Sequence, residues 1–108
     1  MTVKRLAEEN GFKCLSLPCP DREVKGAYIG DLLSWVMGKA EADNAWITIM
    51  SNVNVLAVAS LADVSCVILA EGVTLDAEVL ATAAEKSVNI ISSELSAFEI
   101  ASKLVGNV

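Results

Sequence analysis

The residues of this chain that could bind or transform a ligand concentrate in residues 21–36, DREVKGAYIGDLLSWV, which begin with four charged residues in five. An arginine in this setting can pair with a phosphate, and a carboxylate close to a lysine can move a proton. Glycines beside them allow a close approach of the backbone to a ligand. The candidates in this segment are Asp21, Arg22, Lys25, Gly26, Gly30 and Asp31.

Further candidates follow the later predicted strands. Ligands bind beyond the carboxyl ends of the strands in an open parallel sheet, so residues that follow successive strands should share one edge. Ser51, Asn52 and Ser92 are in this position, and a phosphate could meet the helix amides after Ser51 or after Ser92. Turn formation and helix capping explain the same residue types, so both interpretations remain open.

Charge limits what such an edge could bind. The acidic side chains of Asp31, Glu71 and Glu94 place negative charge where a phosphate would lie. Arg22 and Lys25 are the cations close enough in the sequence to offset them. An anionic ligand at this edge therefore depends on those two side chains.

Known catalytic and nucleotide-binding motifs are absent. The sequence has no Walker loop, GxGxxG turn, GxSxG elbow or CxxC pair, and its acidic residues lack the spacing of a metal-binding loop. It also has no histidine, which excludes Cys–His catalysis within one chain. We expect no catalytic residue, metal or cofactor. Cys14 and Cys66 lie in apolar runs and are predicted to be core residues, whereas Cys19, between two prolines, is predicted to be exposed.

Length and composition limit the kinds of protein that this chain could be. A chain of 108 residues is long enough for one domain with a modest core. Its net charge of −6 and its scattered basic residues exclude nucleic-acid binding. No apolar run approaches the roughly 18 residues that span a bilayer, and no signal peptide precedes the domain, so we expect a cytoplasmic protein without membrane contact.

The apolar content points to a partner. Hydrophobic residues make up 54% of the chain, and its mean hydropathy is +0.51. This is more apolar surface than a small monomer usually hides, so we expect a homodimer. The segment at residues 52–62 is apolar nearly all round, which favours a helix split between the core and a subunit interface. A charge at Val55 or Val58 should then separate the dimer. Complete burial in the core is the alternative.

Strand and helix patterns alternate from residue 24 onward. This order predicts an α/β fold with three layers, in which helices cover both faces of a mostly parallel sheet of about five strands. Thr2 and Asp31 are predicted to cap the first two helices, and Ser96 with Glu99 forms a capping box for the last. The predicted helices span residues 3–10, 32–39, 52–62, an interval from Thr74 or Asp76 to 86, and 96–104, and the predicted strands span residues 12–17, 24–29, 45–50, 64–70 and 88–92.

Residues 21–36, continued by WITIMSNVNVLAVASLADVSCVILAEG and closed by SVNIISSELSAFEIASKL, resemble the DRTGG domain family over essentially the whole chain. The motif that names the family corresponds to residues 21–27, DREVKGA, which keep its aspartate, its arginine and Gly26. Lys25 stands where threonine is usual, and Ala27 stands where the second glycine is usual. Ala27 cannot take the positive φ that glycine can. Either the family's usual glycine at this position allows a close approach of the backbone to another group, or the turn has a different conformation in this chain.

The resemblance implies a fold like that of the N-terminal domain of HPr kinase/phosphorylase and the N-terminal domain of the Mur ligases. The latter bind a uridine nucleotide near a DSR…GDLF pattern, to which Asp21-Arg22 and residues 30–33 are similar. By this analogy, a nucleotide-like ligand is expected near Arg22, Gly26, Asp31 and Ser51. The family's domain is also fused to enzymes, where it accompanies regulation rather than catalysis.

We therefore predict that residues 1–108 form a single domain with a regulatory or ligand-sensing function, not catalytic, which acts as a homodimer. An alternative is a purely structural module that dimerises or docks on a partner enzyme. A third possibility is a small phosphotransfer or hydrolytic enzyme that uses Asp21 and Lys25.

Overall fold

The computed structural model describes residues 1–108. Its helices are α1 (Val3–Asn10), α2 (Leu33–Lys39), α3 (Asn54–Ala62), α4 (Ala77–Glu85) and α5 (Ala97–Leu104). Its strands are β1 (Lys13–Ser16), β2 (Ala27–Ile29), β3 (Ala45–Thr48), β4 (Cys66–Leu69) and β5 (Ile90–Ser92). Strand and helix alternate from β2 onward, as predicted, although each strand is shorter than its apolar run.

All five strands form one sheet in the order β1-β5-β4-β3-β2. The strands from β2 to β5 are parallel to their neighbours, whereas β1 runs antiparallel to β5. The mostly parallel sheet is thus confirmed. Because the parallel strands point the same way, their last residues meet at one edge, which we call the carboxyl edge, and their first residues meet at the amino edge. The antiparallel β1 begins at the carboxyl edge, where Lys13 pairs with Ser92.

Helices cover both faces of the sheet and define two core clusters. On one face, Leu6 of α1 and Ile100 of α5 pack with Ile47 of β3. On the other face, residues of α2, α3 and α4 pack with Trp46 of β3, and Leu56 of α3 is fully buried there. Every residue of β3 and β4 is buried, as expected for central strands covered on both sides. The predicted three-layer α/β architecture is confirmed.

The predicted caps of the first and last helices are present. The Thr2 hydroxyl accepts a hydrogen bond from the Arg5 amide, and Gly11 ends α1 with a left-handed φ of 67°. The Ser96 hydroxyl accepts from the Glu99 amide while the Glu99 carboxylate accepts from the Ser96 amide, which completes the capping box.

The prediction that Asp31 caps α2 is wrong. The residue before α2 is Leu32, and no side chain caps this helix. The Asp31 carboxylate instead accepts hydrogen bonds from residues at the end of β3. The preceding strand also begins later than predicted, at Ala27, because Gly26 has a φ of 72° that interrupts extended backbone.

Helix α3 directs most of its apolar residues inward, which favours the core-burial alternative. Val55 is fully buried and Val58 is 8% exposed. A charge at either position would therefore disrupt the core of the monomer, and the expected separation of a dimer through Val55 or Val58 is not a valid test. The large apolar side chain that α3 does expose is Leu61, at 73%.

The cysteines are partly where the sequence predicts. Cys66 is buried in β4, but Cys14 is exposed, so its prediction as a core residue is wrong. β1 is an outer strand with two exposed and two half-buried residues, so an apolar run there does not guarantee burial. Cys19 is half-buried because its backbone amide and carbonyl are hydrogen-bonded by the Asn89 side chain.

Candidate functional site

The predicted site residues lie at both edges of the sheet. Those of the DRTGG-like motif precede β2 and lie at the amino edge. The others follow β2, β3 or β5 and lie at the carboxyl edge. The amino-edge group is Asp21, Arg22, Lys25 and Gly26, and the carboxyl-edge group is Gly30, Asp31, Ser51, Asn52 and Ser92.

Arg22 binds two aspartates at the amino edge through Nε and Nη2. Its Nη2 lies 3.0 Å from Asp43 Oδ1 and 2.8 Å from Asp63 Oδ1, and it also donates to the Asp63 carbonyl at 2.7 Å. Its Nε lies 3.3 Å from the same Asp43 oxygen. Asp43 precedes β3 and Asp63 ends α3, so one guanidinium joins three separate connections of the fold.

The electrostatics of this cluster favour the charged guanidinium. Partial burial alone would lower the pKa of Arg22, but hydrogen bonds and charges from Asp63 and Asp43 outweigh burial and raise it. Both aspartates have left-handed backbones, with φ of 69° at Asp43 and 58° at Asp63. Since aspartate tolerates this conformation better than most residues, the two turns suit the side chains that bind Arg22.

Gly26 and Ala27 explain the altered motif. Gly26 has a φ of 72°, and a Cβ at this position would lie 3.2 Å from Asn44 Nδ2. The Asn44 amide donates to the Lys25 carbonyl at 2.8 Å, so it holds the chain close to Gly26. Ala27 begins β2 without a positive φ. The retained glycine is therefore the one that the turn requires, and alanine fits the position that follows.

Asp21 and Lys25 project from the same edge without forming a site. Both are exposed, and neither side chain takes part in an ion pair. No other side chain holds them in a fixed relation to each other, as proton transfer to a bound substrate requires.

At the carboxyl edge, Asp31 joins the ends of β2 and β3. Its Oδ1 accepts hydrogen bonds from Thr48 Oγ1 at 2.7 Å and from the Ile49 amide at 3.0 Å. The Gly30 carbonyl beside it accepts from Trp46 Nε1 at 2.9 Å. Gly30 and Asp31 therefore fix the position of the loop that leads to α2.

Ser51 and Asn52 belong to the loop between β3 and α3. Asn52 Oδ1 accepts a hydrogen bond from the Asn54 amide at 2.9 Å, so its side chain shapes the turn that starts the helix. Ser51 is exposed. β4 separates this loop from β5, so Asn52 and Ser92 contribute to different parts of the carboxyl edge.

The largest cavity of the molecule, about 510 Å³, opens at the carboxyl edge over β1, β5 and the loop that follows β4. We call it the carboxyl-edge cleft. Its lining is polar apart from Leu95, and it comprises Asn10, Gly11, Lys13, Gly72, Thr74, Ser92, Ser93, Glu94, Leu95 and Lys103. Hydrogen bonds from the Gly72 amide to the Ser93 carbonyl and from the Glu71 amide to the Leu95 carbonyl, both of 2.9 Å, tie two of its loops together.

Three side chains make the cleft suited to an anion. Lys13 and Lys103 are exposed and take part in no ion pair of the chain. Ser92 is 6% exposed and lines the same cleft. Two free ammonium groups and a serine hydroxyl can together bind phosphate oxygens.

Glu94 sets the acidic side of the cleft. Its carboxylate packs so closely on Gly72 that a Cβ there would lie 2.5 Å from the carboxylate oxygen. Glu94 forms no ion pair with Lys13 or Lys103. An anionic ligand would therefore bind on the lysine side of the cleft, away from this carboxylate.

The sequence pattern predicts Ser92 and Glu94 at this edge but not Lys13, Lys103 or Asn10. Only residues that follow strands were expected at this edge, and Lys13 instead begins a strand. It reaches the carboxyl edge because β1 is antiparallel. Arg22 and Lys25, which were expected to offset the acidic residues here, lie at the opposite edge. No local pattern in the sequence shows the direction of β1, so the sequence contains no signal that places Lys13 at this edge.

Two other kinds of site have no counterpart in the structure. No three side chains of histidine, cysteine, aspartate or glutamate come together as a metal-binding group. None of the helices is both long and apolar enough to cross a membrane.

Comparison with known proteins identifies the fold. The family model described as the DRTGG domain matches residues 22–106. The structure is similar to the crystal structure of the CBS and DRTGG domains of the regulatory region of Clostridium perfringens pyrophosphatase, complexed with the activator diadenosine tetraphosphate, with a TM-score of 0.75 and 12% sequence identity. The alignment covers 96% of this chain and 46% of that chain, so this chain spans about half of the solved region. A search of curated proteins found no match.

Proposed function

Because this chain belongs to the DRTGG domain family, we propose that it is a regulatory domain that senses a small anionic ligand of the nucleotide type and does not itself catalyse a reaction. The carboxyl-edge cleft is the observation that carries this proposal. Lys13 and Lys103 offer two positive charges without an ion-pair partner in the cleft that Ser92 also lines. The nucleotide class is supported by the structurally similar pyrophosphatase region, which is complexed with diadenosine tetraphosphate.

The motif residues have a different part in this proposal. All close hydrogen bonds of the Arg22 guanidinium go to Asp43 and Asp63. Arg22 therefore shapes the domain, and the ligand is bound at the other edge by residues outside the motif. A catalytic use of Asp21 and Lys25 has less support, since no side chain positions either of them.

We also propose that the domain associates with itself and acts on a partner enzyme, as regulatory domains do. Several large apolar side chains remain exposed, including Phe98 at 82%, Val105 at 78% and Trp35 at 56%. Exposed apolar side chains of this size are typical of surfaces that a partner covers. A purely structural role in dimerisation or docking is the second candidate function, and it rests on the same surface.

The test is thermal unfolding of the purified chain against adenine, uridine and guanine nucleotides, each with and without magnesium. A ligand at a hundred times its dissociation constant adds about 2.7 kcal/mol of stability, which raises the midpoint of a domain of this size by roughly 10 °C. Inorganic phosphate serves as a further probe, because the cleft should bind it more weakly than a nucleotide. We expect a shift with at least one nucleotide class.

The control is a matched pair of double variants. Lys13→Gln with Lys103→Gln removes both charges of the cleft and should abolish the shift. Lys4→Gln with Lys86→Gln removes the same charge from exposed positions outside the cleft and should keep it. No shift with any nucleotide would contradict the sensing function and leave the structural role as the better explanation. A shift that survives in the cleft variant would place the ligand elsewhere.

A further inference from the structure

Strand β2 is the outermost strand of the sheet and has a free side. The Gly26 carbonyl accepts from the Ala45 amide at 3.0 Å, and the Gly30 amide donates to the Ile47 carbonyl at 3.2 Å, so these residues face β3. Because peptide groups alternate along a strand, those of Ala27 and Ile29 point away from the sheet. The outer side of β2 thus offers two donors and two acceptors to another strand.

Apart from its length of three residues, β2 has none of the features that protect an edge strand from pairing. Exposed edge strands are usually protected by a charged side chain, a proline, a bulge or a covering element. Residues 26–30, GAYIG, contain no charge and no proline, and β2 pairs with β3 in regular register. Ile29, in the middle of this unprotected edge, is 49% exposed.

Apolar surface continues from the edge onto the helix beside it. A groove of about 280 Å³ lies between β2 and the end of α5, and its lining is almost wholly apolar. The lining comprises Gly26, Ala27, Ile29, Ala101, Leu104, Val105 and Val108. Phe98, one turn before Ala101 on α5, extends this surface with a ring that is 82% exposed.

On the other face of the sheet, the helix beside β2 also exposes apolar side chains. α2 joins β2 to β3 and packs against α3, so it is the outermost helix of its layer. It exposes Trp35 at 56%, and Leu32 just before it is 58% exposed. Lys39 Nζ lies 4.1 Å from the centre of the Trp35 ring, which covers one face of that ring and leaves the other open.

We propose that β2 pairs with β2 of a second copy of this chain, antiparallel and with Tyr28 on the two-fold axis, to form one continuous sheet across the dimer. This inference specifies the self-association proposed above and does not depend on the ligand. In this register Ala27 lies opposite Ile29 of the partner copy, and the two pairs exchange four backbone hydrogen bonds.

The sequence of the segment argues for a second copy rather than a foreign strand. The segment at residues 25–31, KGAYIGD, has an apolar residue and then a glycine on each side of Tyr28. Its two ends carry opposite charges, positive at Lys25 and negative at Asp31. Lys25 and Asp31 lie just beyond the two ends of β2, so antiparallel pairing brings the Lys25 end of each strand towards the Asp31 end of its partner, and parallel pairing would bring like charges together. Lys25 has no ion pair within its own chain, and Asp31 is already held in place through Oδ1 by Thr48.

The first test is the solution mass of the chain by sedimentation, together with two single-charge variants. Wild type should be a dimer. Ile29→Lys places a charge on the paired edge and should raise the dissociation constant by roughly tenfold or more. Leu61→Lys places the same charge on α3, away from β2, and should leave the dimer intact. A monomeric wild type would overturn the proposal, as would a dimer that is separated by Leu61→Lys but not by Ile29→Lys.

The second test checks which residues of the two β2 strands lie opposite each other. In a background with Cys14→Ser and Cys19→Ser, Tyr28→Cys should form a disulfide-linked dimer under mild oxidation, because position 28 lies opposite itself. Leu61→Cys in the same background should remain monomeric on a denaturing gel. Equal crosslinking of the two variants, or no crosslinking at position 28 in a chain that is still a dimer, would overturn this pairing.

The ligand and the dimer can be separated experimentally. The carboxyl-edge cleft lies over β1 and β5, at the opposite side of the sheet from β2. The nucleotide panel repeated on Ile29→Lys should therefore give the wild-type thermal shift in a weakened dimer. If no nucleotide shifts the unfolding midpoint while Ile29→Lys dissociates, the sensing function alone is contradicted. If a nucleotide does shift the midpoint while wild type is monomeric, the strand pairing alone is contradicted.

Discussion

Arg22, the most recognisable residue of the motif, binds no part of the carboxyl-edge cleft and instead joins three connections at the amino edge. It bridges Asp43 and Asp63 with hydrogen bonds of 3.0 Å and 2.8 Å. We interpret this arginine as the residue that fixes how β3 and β4 enter the sheet. A family motif can therefore mark a position on which the fold depends, while the proposed ligand site lies at the other edge of the sheet.

Replacing Arg22 should destabilise the domain. Arg22→Ala leaves Asp43 and Asp63 without their cation, and charged hydrogen bonds of this kind contribute about 1.5–3 kcal/mol, so we expect a loss near the lower end at this partly exposed site. The matched control is Arg5→Ala, which breaks an exposed pair with Glu9 and should cost roughly 0.5 kcal/mol or less. Urea unfolding measures both. Equal losses would contradict a structural role for Arg22.

The thiol of Cys66 gives the domain a predicted sensitivity to alkaline pH. Complete burial raises the pKa of Cys66 to about 12 from its ordinary 9.0. Between these values the folded chain keeps a proton that the unfolded chain loses, so this contribution to stability is complete below pH 9 and falls as the pH rises towards 12. The stability difference between wild type and Cys66→Ala should shrink by about 1.4 kcal/mol per pH unit above 9. Urea titrations at several pH values measure it, and a constant difference would contradict the prediction.

At the scale of elements, the sequence predicts those features that depend on neighbours in the chain. The capping box of α5 needs Ser96 and Glu99 three residues apart, and both hydrogen bonds form as expected. The two central strands are continuous apolar runs, and every residue in them is buried. Local spacing was sufficient to predict these features. The hydrogen-bond partners in the capping box are close in the chain, and a continuous apolar run itself indicates a buried strand.

Features that depend on distant partners were not predictable in this way. Asp31 has the residue type and position of a cap, yet its carboxylate binds Thr48, seventeen residues later. Cys14 lies in an apolar run, but β1 is an outer strand and leaves it exposed. Lys13 reaches the cleft because β1 runs antiparallel to β5. Strand order and direction are set by the packing of the whole sheet, so the sequence could locate only the part of the cleft that follows β4 and β5, which includes Ser92 and Glu94.

At the scale of the whole molecule, the two outer strands of the sheet lie beside surfaces of different character. The β1 side supports the polar cleft with its free lysines, and the β2 side presents an unpaired, uncharged edge beside apolar helices. A regulatory domain needs both a surface that recognises a ligand and a surface that reaches a partner. Their separation across the sheet means that a ligand could alter the dimer only through the strands between them.

The proposed dimer makes the unfolding temperature depend on protein concentration. If dimer dissociation accompanies unfolding, a tenfold increase in concentration adds about 1.4 kcal/mol to the stability of the folded dimer, which raises the midpoint by about 4 °C. Wild type followed by circular dichroism over a hundredfold range of concentration should show this trend. Ile29→Lys should show this trend only at the higher concentrations, because at the lower ones it is a folded monomer, which unfolds independently of concentration. A wild-type midpoint that is constant over the whole range would mean that strand pairing between two copies does not stabilise this domain.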